Sequence, residues 1–531
     1  MDEKERFSDW TYPEIENNRL TKWNWMVQSK ENLELGKNVD IGAFTYMNAR
    51  YGIEIQDNVQ IGSHCSIYTY NSIDDKKGNI IIKENSCVGS HSVIFPGITI
   101  GKNSTIGAFS LVNKDIPDNC VAYGIPIKII KNKDENMNEE KETFEVPLFK
   151  TYSDQEDIDA VTKILKRGTY WATGPEIQEF ETKIAEYIGT RYALTFNSGT
   201  SALHTLLLTC DIKYMEVIVP SFTFIATVNS VVLAGGIPIF AETETETFGL
   251  DAEDVEKKIT PRTKAIIALH YGGFPSKDIE KLRQIADKNN ILLIEDAAES
   301  IGSHINQKKV GTFGHAAMFS FCQNKILPIG EGGMIVTNSQ QIYEKAKLLR
   351  SHGRVEQAED YFSNTQDNDY IQVGYNFRMP TICAALGISQ LKKIQKIIDL
   401  RREKADYLTK HLKEIPEIKL LREIPGHYQT YQTYVIQLPD KETRDNLQSH
   451  LTNKRIRTKI YFNPVHLKSI YKKQYYCKEG DLPKTEQLST RVLNLPFFPQ
   501  ITGQELDYII SSIKEFFKNK QGENFENERY L

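Results

Sequence analysis

Aliphatic side chains recur at every sixth position in the first quarter of the chain. One run of six such positions occupies residues 82–112, and shorter runs precede it. Slender side chains stand four residues after many of them. The aliphatic positions are Leu35, Ile41, Met47, Ile53, Ile55, Ile61, Ile67, Ile82, Val88, Ile94, Ile100, Ile106 and Val112; the slender ones are Thr45, Val59, Cys65, Ser86, Ser92, Ser104 and Ser110. A period of six is neither helical spacing nor alternation, and it predicts a three-sided coil with the aliphatic residues at its axis.

The register of this repeat breaks once. Residues 70–79 (YNSIDDKKGN) interrupt it and are predicted to leave the coil as a loop, where solenoids commonly carry function. The repeat ends before residues 131–146, which are polar and charged with almost no apolar periodicity. These residues are predicted to be a linker, so residues 1–130 form one domain and residues 147–531 another.

Helical and strand patterns alternate after the linker. Ser153 and Glu156 are interpreted as a capping box for a helix that stops at Gly168. Short apolar runs predict strands at 192–196, 217–219, 237–240, 265–269, 291–294 and 334–337. The alternation predicts an α/β layer structure around a mainly parallel sheet up to about residue 400, followed by a small α+β subdomain. The polar tail after Phe517 is predicted to be frayed.

Composition restricts the partners of the protein. The 531 residues include 65 Lys and Arg against 70 Asp and Glu, a net charge of −5, which gives no general attraction to nucleic acid or to a membrane surface. Seven scattered cysteines without a C-x-x-C pair suggest neither disulfides nor a metal site, and with no secretory signal at the start they indicate the cytoplasm. The uncharged stretch 217–241 is interpreted as strand, loop, helix and strand rather than as a membrane helix.

Three motifs in the second domain bear on chemistry. The segment NSGTSALH (197–204) follows a strand and begins a helix near Ser201, which is a seat for phosphate or simply a capped turn. Asp296 ends a buried strand at the carboxyl edge of the sheet, where it can pair with a cationic ring nitrogen or cap the next helix. Lys325 stands between an aromatic strand and a glycine-rich turn, where its amine can become a nucleophile.

Together these motifs resemble the DegT/DnrJ family of pyridoxal-phosphate-dependent sugar-nucleotide aminotransferases, which have the type I fold. The resemblance extends from about residue 147 to the C-terminus and includes PSFTFIATVNSV, EDAAES, FSFCQNKILPIGEGG and GYNFRMPTICAALGISQL. It implies that Lys325 holds the cofactor covalently and moves the proton, while Asp296 keeps the pyridine nitrogen protonated. The other implied cofactor contacts are Phe224 on the ring face, Glu299 near the ring hydroxyl, Gly199, Thr200 and Ser320 on the phosphate, and Asn376 from a second subunit.

The first domain resembles the hexapeptide-repeat acyltransferases over about residues 34–131, including the ending IPDNCVAYGIPIKIIK. That family implies a left-handed parallel β-helix, a trimer and acetyl-CoA as co-substrate. Many relatives carry a histidine base where this chain has Tyr70. His64 and His91 are the imidazoles available to accept a proton, and each is equally well explained as a hydrogen-bonded corner residue.

The two resemblances predict a bifunctional enzyme. One domain would aminate a 4-keto-6-deoxy, or alternatively a 3-keto, nucleotide sugar with glutamate as donor, and the other would acetylate the new amine. In a second interpretation, the first domain is only a trimerisation module. A third, a sensor that binds the cofactor without turnover, is disfavoured because lysine, aspartate and phosphate seat are all present. The aminotransferase resemblance implies sites shared between two subunits, and the coil resemblance implies a trimer. The smallest closed assembly that satisfies both is a hexamer of dihedral symmetry.

Overall fold

The computed structural model describes residues 10–132, 145–355 and 369–527. The chain divides into two compact units, Met1–Glu142 and Thr143–Leu531. Most of the predicted linker, residues 133–144, lies outside the described residues. Each unit has its own hydrophobic core.

The first unit is built from short strands that enter three sheets in rotation. Over residues 10–132 the first sheet comprises Met26–Gln28, Tyr46–Asn48, Ser66–Tyr68, Val93–Ile94 and Leu111–Val112, and the second Leu33–Leu35, Ile53–Ile55, Ile80–Ile82 and Thr99–Ile100. The third comprises Asp40–Ile41, Gln60–Ile61, Cys87–Val88, Thr105–Ile106, Cys120–Tyr123 and Lys128–Asn132. The pairing is parallel except between the last two strands. This rotation of short parallel strands is compatible with the three-sided coil that the six-residue period predicts.

Burial follows the repeat as well. Met47, Ile67, Ile94 and Val112 lie in one column, paired strand to strand, and all four are 0% exposed. The other aliphatic positions of the repeat are buried too, except Leu35, which is partly buried against the same core. The slender residues at the predicted positions are buried, because the narrow interior leaves no room for larger side chains there.

The corners of the coil use the left-handed backbone region. One corner stacks asparagines, whose amides bond from coil to coil, as in Asn38 to Asn58 at 3.1 Å and Asn103 to Asn119 at 2.8 Å. A second corner holds His64 and His91 with φ of 58° and 61°. At the third corner the predicted excursion is a hairpin of Tyr70–Asn71 and Lys76–Lys77.

A twisted sheet lies at the centre of the second unit. Across residues 145–355 and 369–527 its strands run in the order Tyr192–Phe196, Gly333–Thr337, Ala316–Ser320, Leu292–Asp296, Thr263–Leu269, Glu216–Pro220 and Ile237–Ala241. Gly333–Thr337 is antiparallel to both neighbours, and the remaining pairs are parallel. The predicted mainly parallel sheet is therefore present, and the carboxyl ends of its central strands meet at one edge.

Helices cover this sheet and build the terminal subdomain. Those of the large part are Gln155–Arg167, Pro175–Ile188, Gly199–Thr209, Ile225–Leu233, Ala252–Lys257, Ile279–Lys288, Gln340–Arg350, Thr381–Lys392 and Ile394–Leu412. The subdomain adds Lys441–Asn453, Pro483–Arg491 and Gly503–Asn527 around strands Lys419–Leu420, Tyr434–Gln437 and Val492–Leu495. Helix Ser469–Gln474 packs instead through Tyr471 against the core of the large sheet. A small separate sheet joins His304–Ile305, Lys308–Lys309 and His427–Tyr428.

Two local predictions were wrong, and one helix begins two residues before the residue named for its start. The capping box consists of Asp154 and Asp157 rather than Ser153 and Glu156, because the helix begins one residue later. The helix expected near Ser201 begins at Gly199, since the Ser198 hydroxyl caps it by accepting from the Ser201 N–H. The tail after Phe517 was predicted to be frayed, but the helix that begins at Gly503 continues to Asn527.

The uncharged stretch 217–241 contains a strand, a helix and a second strand, as predicted. In the described parts of the chain, no helix combines the length and the apolar character needed to cross a bilayer.

Candidate active site

Asp296 lies at the carboxyl end of a central strand and is almost completely buried, with 3% of its surface exposed. Its Oδ2 accepts a hydrogen bond of 2.7 Å from the Thr227 hydroxyl, and its Oδ1 accepts one of 3.2 Å from the Ala298 N–H. Burial raises the pKa of Asp296, and the bond from Thr227 and the charge of Lys325 act against that rise. The site thus holds a desolvated carboxylate that a buried cation would stabilise.

Lys325 points its amine at a second carboxylate. Its Nζ lies 3.2 Å from Glu299 Oε1, and the two side chains are only 12% and 10% exposed. The other oxygen of Glu299 accepts a 2.9 Å hydrogen bond from the Gly272 N–H. The amine is therefore fixed in a largely dehydrated place, as a lysine that acts as a nucleophile requires.

The first turn of helix Gly199–Thr209 faces Ser320, the last residue of strand Ala316–Ser320. A Cβ added to Gly199 would stand 3.0 Å from Ser320 Cβ and 3.2 Å from Met318 Sδ, so a larger residue would have to displace these neighbours by a few tenths of an ångström. The unpaired N–H groups of a helix start, together with hydroxyl donors, make a seat for an anion. The exposed Thr200 follows Gly199 in this turn.

Phe224 stands at the N-terminal cap of helix Ile225–Leu233 with 60% of its surface exposed. Its ring centroid is 6.3 Å from that of Phe462 in the subdomain. The preceding residue, Thr223, shares a 2.8 Å hydrogen bond with Thr227, which in turn bonds Asp296. The loop that carries the exposed ring is thereby tied to the buried carboxylate.

Known proteins resemble the unit that carries these residues. The model of the DegT/DnrJ/EryC1/StrS aminotransferase family matches residues 151–514. The chain belongs to this family. The GDP-perosamine synthase of Escherichia coli O157:H7 is 36% identical over 376 residues, which cover 71% of this chain and 99% of that protein. The GDP-perosamine synthase of Vibrio cholerae is 35% identical and covers 70% of this chain and 99% of its own length.

A solved structure agrees in fold. PseC of Helicobacter pylori, described as an aminotransferase involved in the biosynthesis of pseudoaminic acid, superposes with a TM-score of 0.66 at 29% identity. The match covers 71% of this chain and all of that one. The second unit, hereafter the aminotransferase unit, therefore has the predicted type I fold, and the family match lies wholly within it.

Asn376 directly precedes Phe377, whose backbone oxygen accepts a 2.8 Å hydrogen bond from the Asn197 N–H beside the turn at Gly199. In the aminotransferase unit its backbone forms an isolated bridge with Ser351, and its side chain is exposed. The resemblance assigns it to the site of a second subunit, and that assignment stays a prediction.

Sequence reasoning missed several residues of this site. Thr227 and Gly272 touch Asp296 and Glu299, and the Gln432 amide donates to the backbone oxygen of Asn324, next to Lys325. Gly272 and Gln432 carry no signal in the sequence, because their segments are brought to the site only by the fold. Thr227 stood within PSFTFIATVNSV, three residues after Phe224, where a helix brings it back to the same face.

In the first unit the two candidate bases lie together. The rings of His64 and His91 stack with centroids 4.7 Å apart, and both side chains are exposed. Phe44 and Phe109 extend the stack at 5.1 Å and 4.7 Å. All four stand three residues before an aliphatic position of the repeat. This shared spacing is the sequence signal that could have predicted the stack. Tyr70 starts the hairpin at the other edge of the same sheet.

Proposed function

We propose that the protein transfers an amino group from glutamate to a nucleotide-linked keto sugar in its aminotransferase unit and acetylates the new amine in its first unit. The observation that carries the first activity is the dehydrated pair of Lys325 and Glu299 beside the buried Asp296, within a member of an aminotransferase family. The second activity rests on residues of the first unit alone.

The residues present fit pyridoxal phosphate. Asp296 offers a buried carboxylate for the ring nitrogen, the turn at Gly199 with Ser320 offers an anion seat for the phosphate, and Lys325 offers an amine for the aldehyde. Phe224 supplies an aromatic face for the ring. When bound, this cofactor supplies an electron sink that stabilises negative charge on the carbon bearing the amino group.

Each protein group has a separate part in amino transfer. Lys325 Nζ, as a free amine, takes the proton from the glutamate carbon that gives up the amino group and delivers a proton to the sugar carbon that receives it. Glu299 positions that amine, and the Gly272 N–H fixes Glu299 in turn. Asp296 stays ionised opposite a cationic ring nitrogen, which offsets the cost of its burial.

The substrate class follows from the relatives. Two of them are GDP-perosamine synthases, and the chain spans 99% of the length of each. We therefore propose a 4-keto-6-deoxy sugar on a nucleoside diphosphate, with GDP tested first and dTDP and UDP beside it. Amination at C3 of a 3-keto sugar is the alternative, and polysaccharide biosynthesis is the pathway class.

The first unit is proposed to be a left-handed β-helix acetyltransferase. The amine nitrogen of the aminated sugar attacks the thioester carbonyl carbon of acetyl-CoA, the C–S bond breaks, and coenzyme A leaves as the thiol. The proton released from nitrogen needs an acceptor, and the exposed imidazoles of His64 and His91 are available. Covalent linkage keeps both activities at high local concentration.

The test follows both products by mass spectrometry. Purified protein with pyridoxal phosphate, glutamate and GDP-, dTDP- or UDP-4-keto-6-deoxy sugar should give an amino sugar nucleotide, and added acetyl-CoA should give the acetamido product. Lys325→Ala should abolish the first product while still acetylating amino sugar supplied to it. His64→Ala and His91→Ala, tested separately, should spare the first product and identify the base.

Two outcomes would change the proposal. Absence of any amino sugar from the whole panel would contradict aminotransfer, and amination without acetylation would leave the first unit as an assembly module. For the assembly itself we propose a hexamer of dihedral symmetry, and light scattering at the mass of a dimer would contradict it.

A further inference from the structure

Four side chains form a cluster at the corner where the hairpin leaves the coil of the first unit. The rings of Tyr51 and Tyr70 have centroids 6.0 Å apart and planes inclined by 48°. Arg50 Cζ lies 5.7 Å from each centroid, and Lys77 Nζ lies 5.8 Å and 6.0 Å from them. Tyr70 and Lys77 face each other across the hairpin. We call these four residues the tyrosine–cation cluster.

The charges of this cluster are poorly balanced. Among residues 10–132, Lys77 has an ion pair only with Asp75, at 3.8 Å and with both side chains well exposed, and Arg50 has none. The two cations repel each other, and contact with these partly exposed rings compensates only weakly. A phosphate oxygen between them would relieve the repulsion and accept charge-assisted hydrogen bonds from the guanidinium.

The rings of the cluster favour a particular kind of anion. A planar base stacks on a tyrosine face whatever its identity, and phosphates beside it pair with arginine and lysine. We propose that the tyrosine–cation cluster binds a nucleoside diphosphate, with the base on Tyr51 or Tyr70 and the phosphates on Arg50 and Lys77. A sugar nucleotide and coenzyme A both contain this group, and the choice between them rests on the function proposed above.

The position of the cluster also orients its ligand. The cluster lies at one edge of the first sheet, and His64 and His91 lie at the other edge. Tyr70 follows His64 by six residues, about 20 Å of extended chain. Tyr46 and Tyr68, with ring centroids 5.9 Å apart, belong to the strands between these edges. A ligand held by its nucleotide at the cluster would extend its reacting end, an amine or a thioester, across this sheet toward the imidazoles.

The competing explanation is that the cluster only anchors the hairpin to the coil. Ligand binding separates the two, because anchoring requires no affinity for nucleotides. Calorimetry on the full-length protein with bound pyridoxal phosphate uses dTDP, UDP, GDP and coenzyme A as four probes. Arg50→Gln and Tyr70→Ala should each weaken the binding of at least one probe about tenfold or more. Tyr70→Phe should bind all four probes like the wild type, because the stacking ring remains.

The control is Lys22→Gln, which removes the cation from another exposed contact of the same unit, 4.2 Å above the Trp23 ring, and should leave all four affinities unchanged. Circular dichroism and an unchanged aminotransfer rate verify that each variant is folded. Weaker binding of coenzyme A alone assigns the site to coenzyme A, and weaker binding of dTDP, UDP or GDP assigns it to the sugar nucleotide; both support the proposal.

Equal affinities of wild type, Arg50→Gln and Tyr70→Ala for all four probes would overturn the nucleotide site. A failure of the acetyl-transfer proposal looks different. In that case no acetamido product forms, while the two variants still weaken nucleotide binding.

Discussion

The hydrogen bond from Thr227 to Asp296 gives the sharpest test of the active site. The two side chains are 2% and 3% exposed, and the bond is 2.7 Å long. Valine has nearly the shape of threonine without its hydroxyl, so Thr227→Val removes the donor and preserves packing. Asp296 Oδ1 keeps its bond from the Ala298 N–H, but Oδ2 loses the bond from the hydroxyl.

The size of the effect follows from the charge of the acceptor. A hydrogen bond to a charged group contributes about 1.5–3 kcal/mol, and 1.36 kcal/mol corresponds to about one pKa unit. Burial already raises the pKa of Asp296, and the bond from Thr227 counteracts that rise. Its removal should raise the pKa of Asp296 by about a further 1–2 units.

The assay is the pH profile of aminotransfer. In the proposed reaction amino transfer needs ionised Asp296, so activity should be lost as pH falls through the pKa of this group. Thr227→Val should therefore move the acid limb upward by about 1–2 pH units and leave the plateau near the wild-type value. Thr227→Ser, which keeps the hydroxyl, should behave like the wild type. Thr223→Val removes only the 2.8 Å contact with Thr227 and should shift the limb less.

A folded Thr227→Val variant whose acid limb coincides with that of the wild type would refute the reasoning. It would mean that the carboxylate is held ionised by other groups, or that its charge does not limit the reaction.

Three further changes test the anion seat, the coil and a buried imidazole. Gly199→Ala places a Cβ 3.0 Å from Ser320 Cβ and should weaken the binding of pyridoxal phosphate about tenfold or more. The loss of the visible absorbance band on dialysis would show this weaker binding, and a retained band would contradict the phosphate seat at Gly199. Ile94→Ala opens a cavity in the first unit at a fully buried position and should cost about 2–5 kcal/mol in denaturant unfolding of that unit, with no change in aminotransfer. Burial lowers the pKa of His466 below its ordinary value of 6.5, against the opposing charge of Glu486. The unfolded chain therefore binds the proton more readily, and the free energy of unfolding should fall as pH drops below about 6.5. His466→Gln should flatten this pH dependence between pH 7.5 and 5.5. A variant whose free energy of unfolding changes with pH as steeply as that of the wild type would contradict a role for His466.

Local repetition made the first unit predictable. Each coil contacts only its neighbours, so the pattern that places Ile67 and Ile94 at the axis is repeated within a few residues of sequence. The hairpin at Tyr70 could be predicted in the same way, because the six-residue repeat is interrupted there. Motif order likewise pointed to Lys325 and Asp296, since each follows a strand recognisable from its own residues.

Contacts between distant segments could not be predicted in this way. Gly272 reaches Glu299, and Gln432 from the subdomain reaches Asn324, only because the sheet and the subdomain bring them together. The tyrosine–cation cluster is similar: Arg50 and Tyr51 belong to one coil, and Tyr70 and Lys77 to the hairpin of the next. Nothing in either segment alone indicates that their side chains meet.

The amino-acid sequence by itself predicted two units, a three-sided coil in the first, and in the second the aminotransferase family with its candidate lysine and aspartate, because each of these follows from a local pattern or an ordered motif. Only the tertiary structure decided which groups hold those residues in place, and that His64 and His91 lie in one stack. The reason is physical: hydrogen bonds and ring contacts depend on distances of a few ångströms between segments far apart in the chain, and folding alone sets those distances.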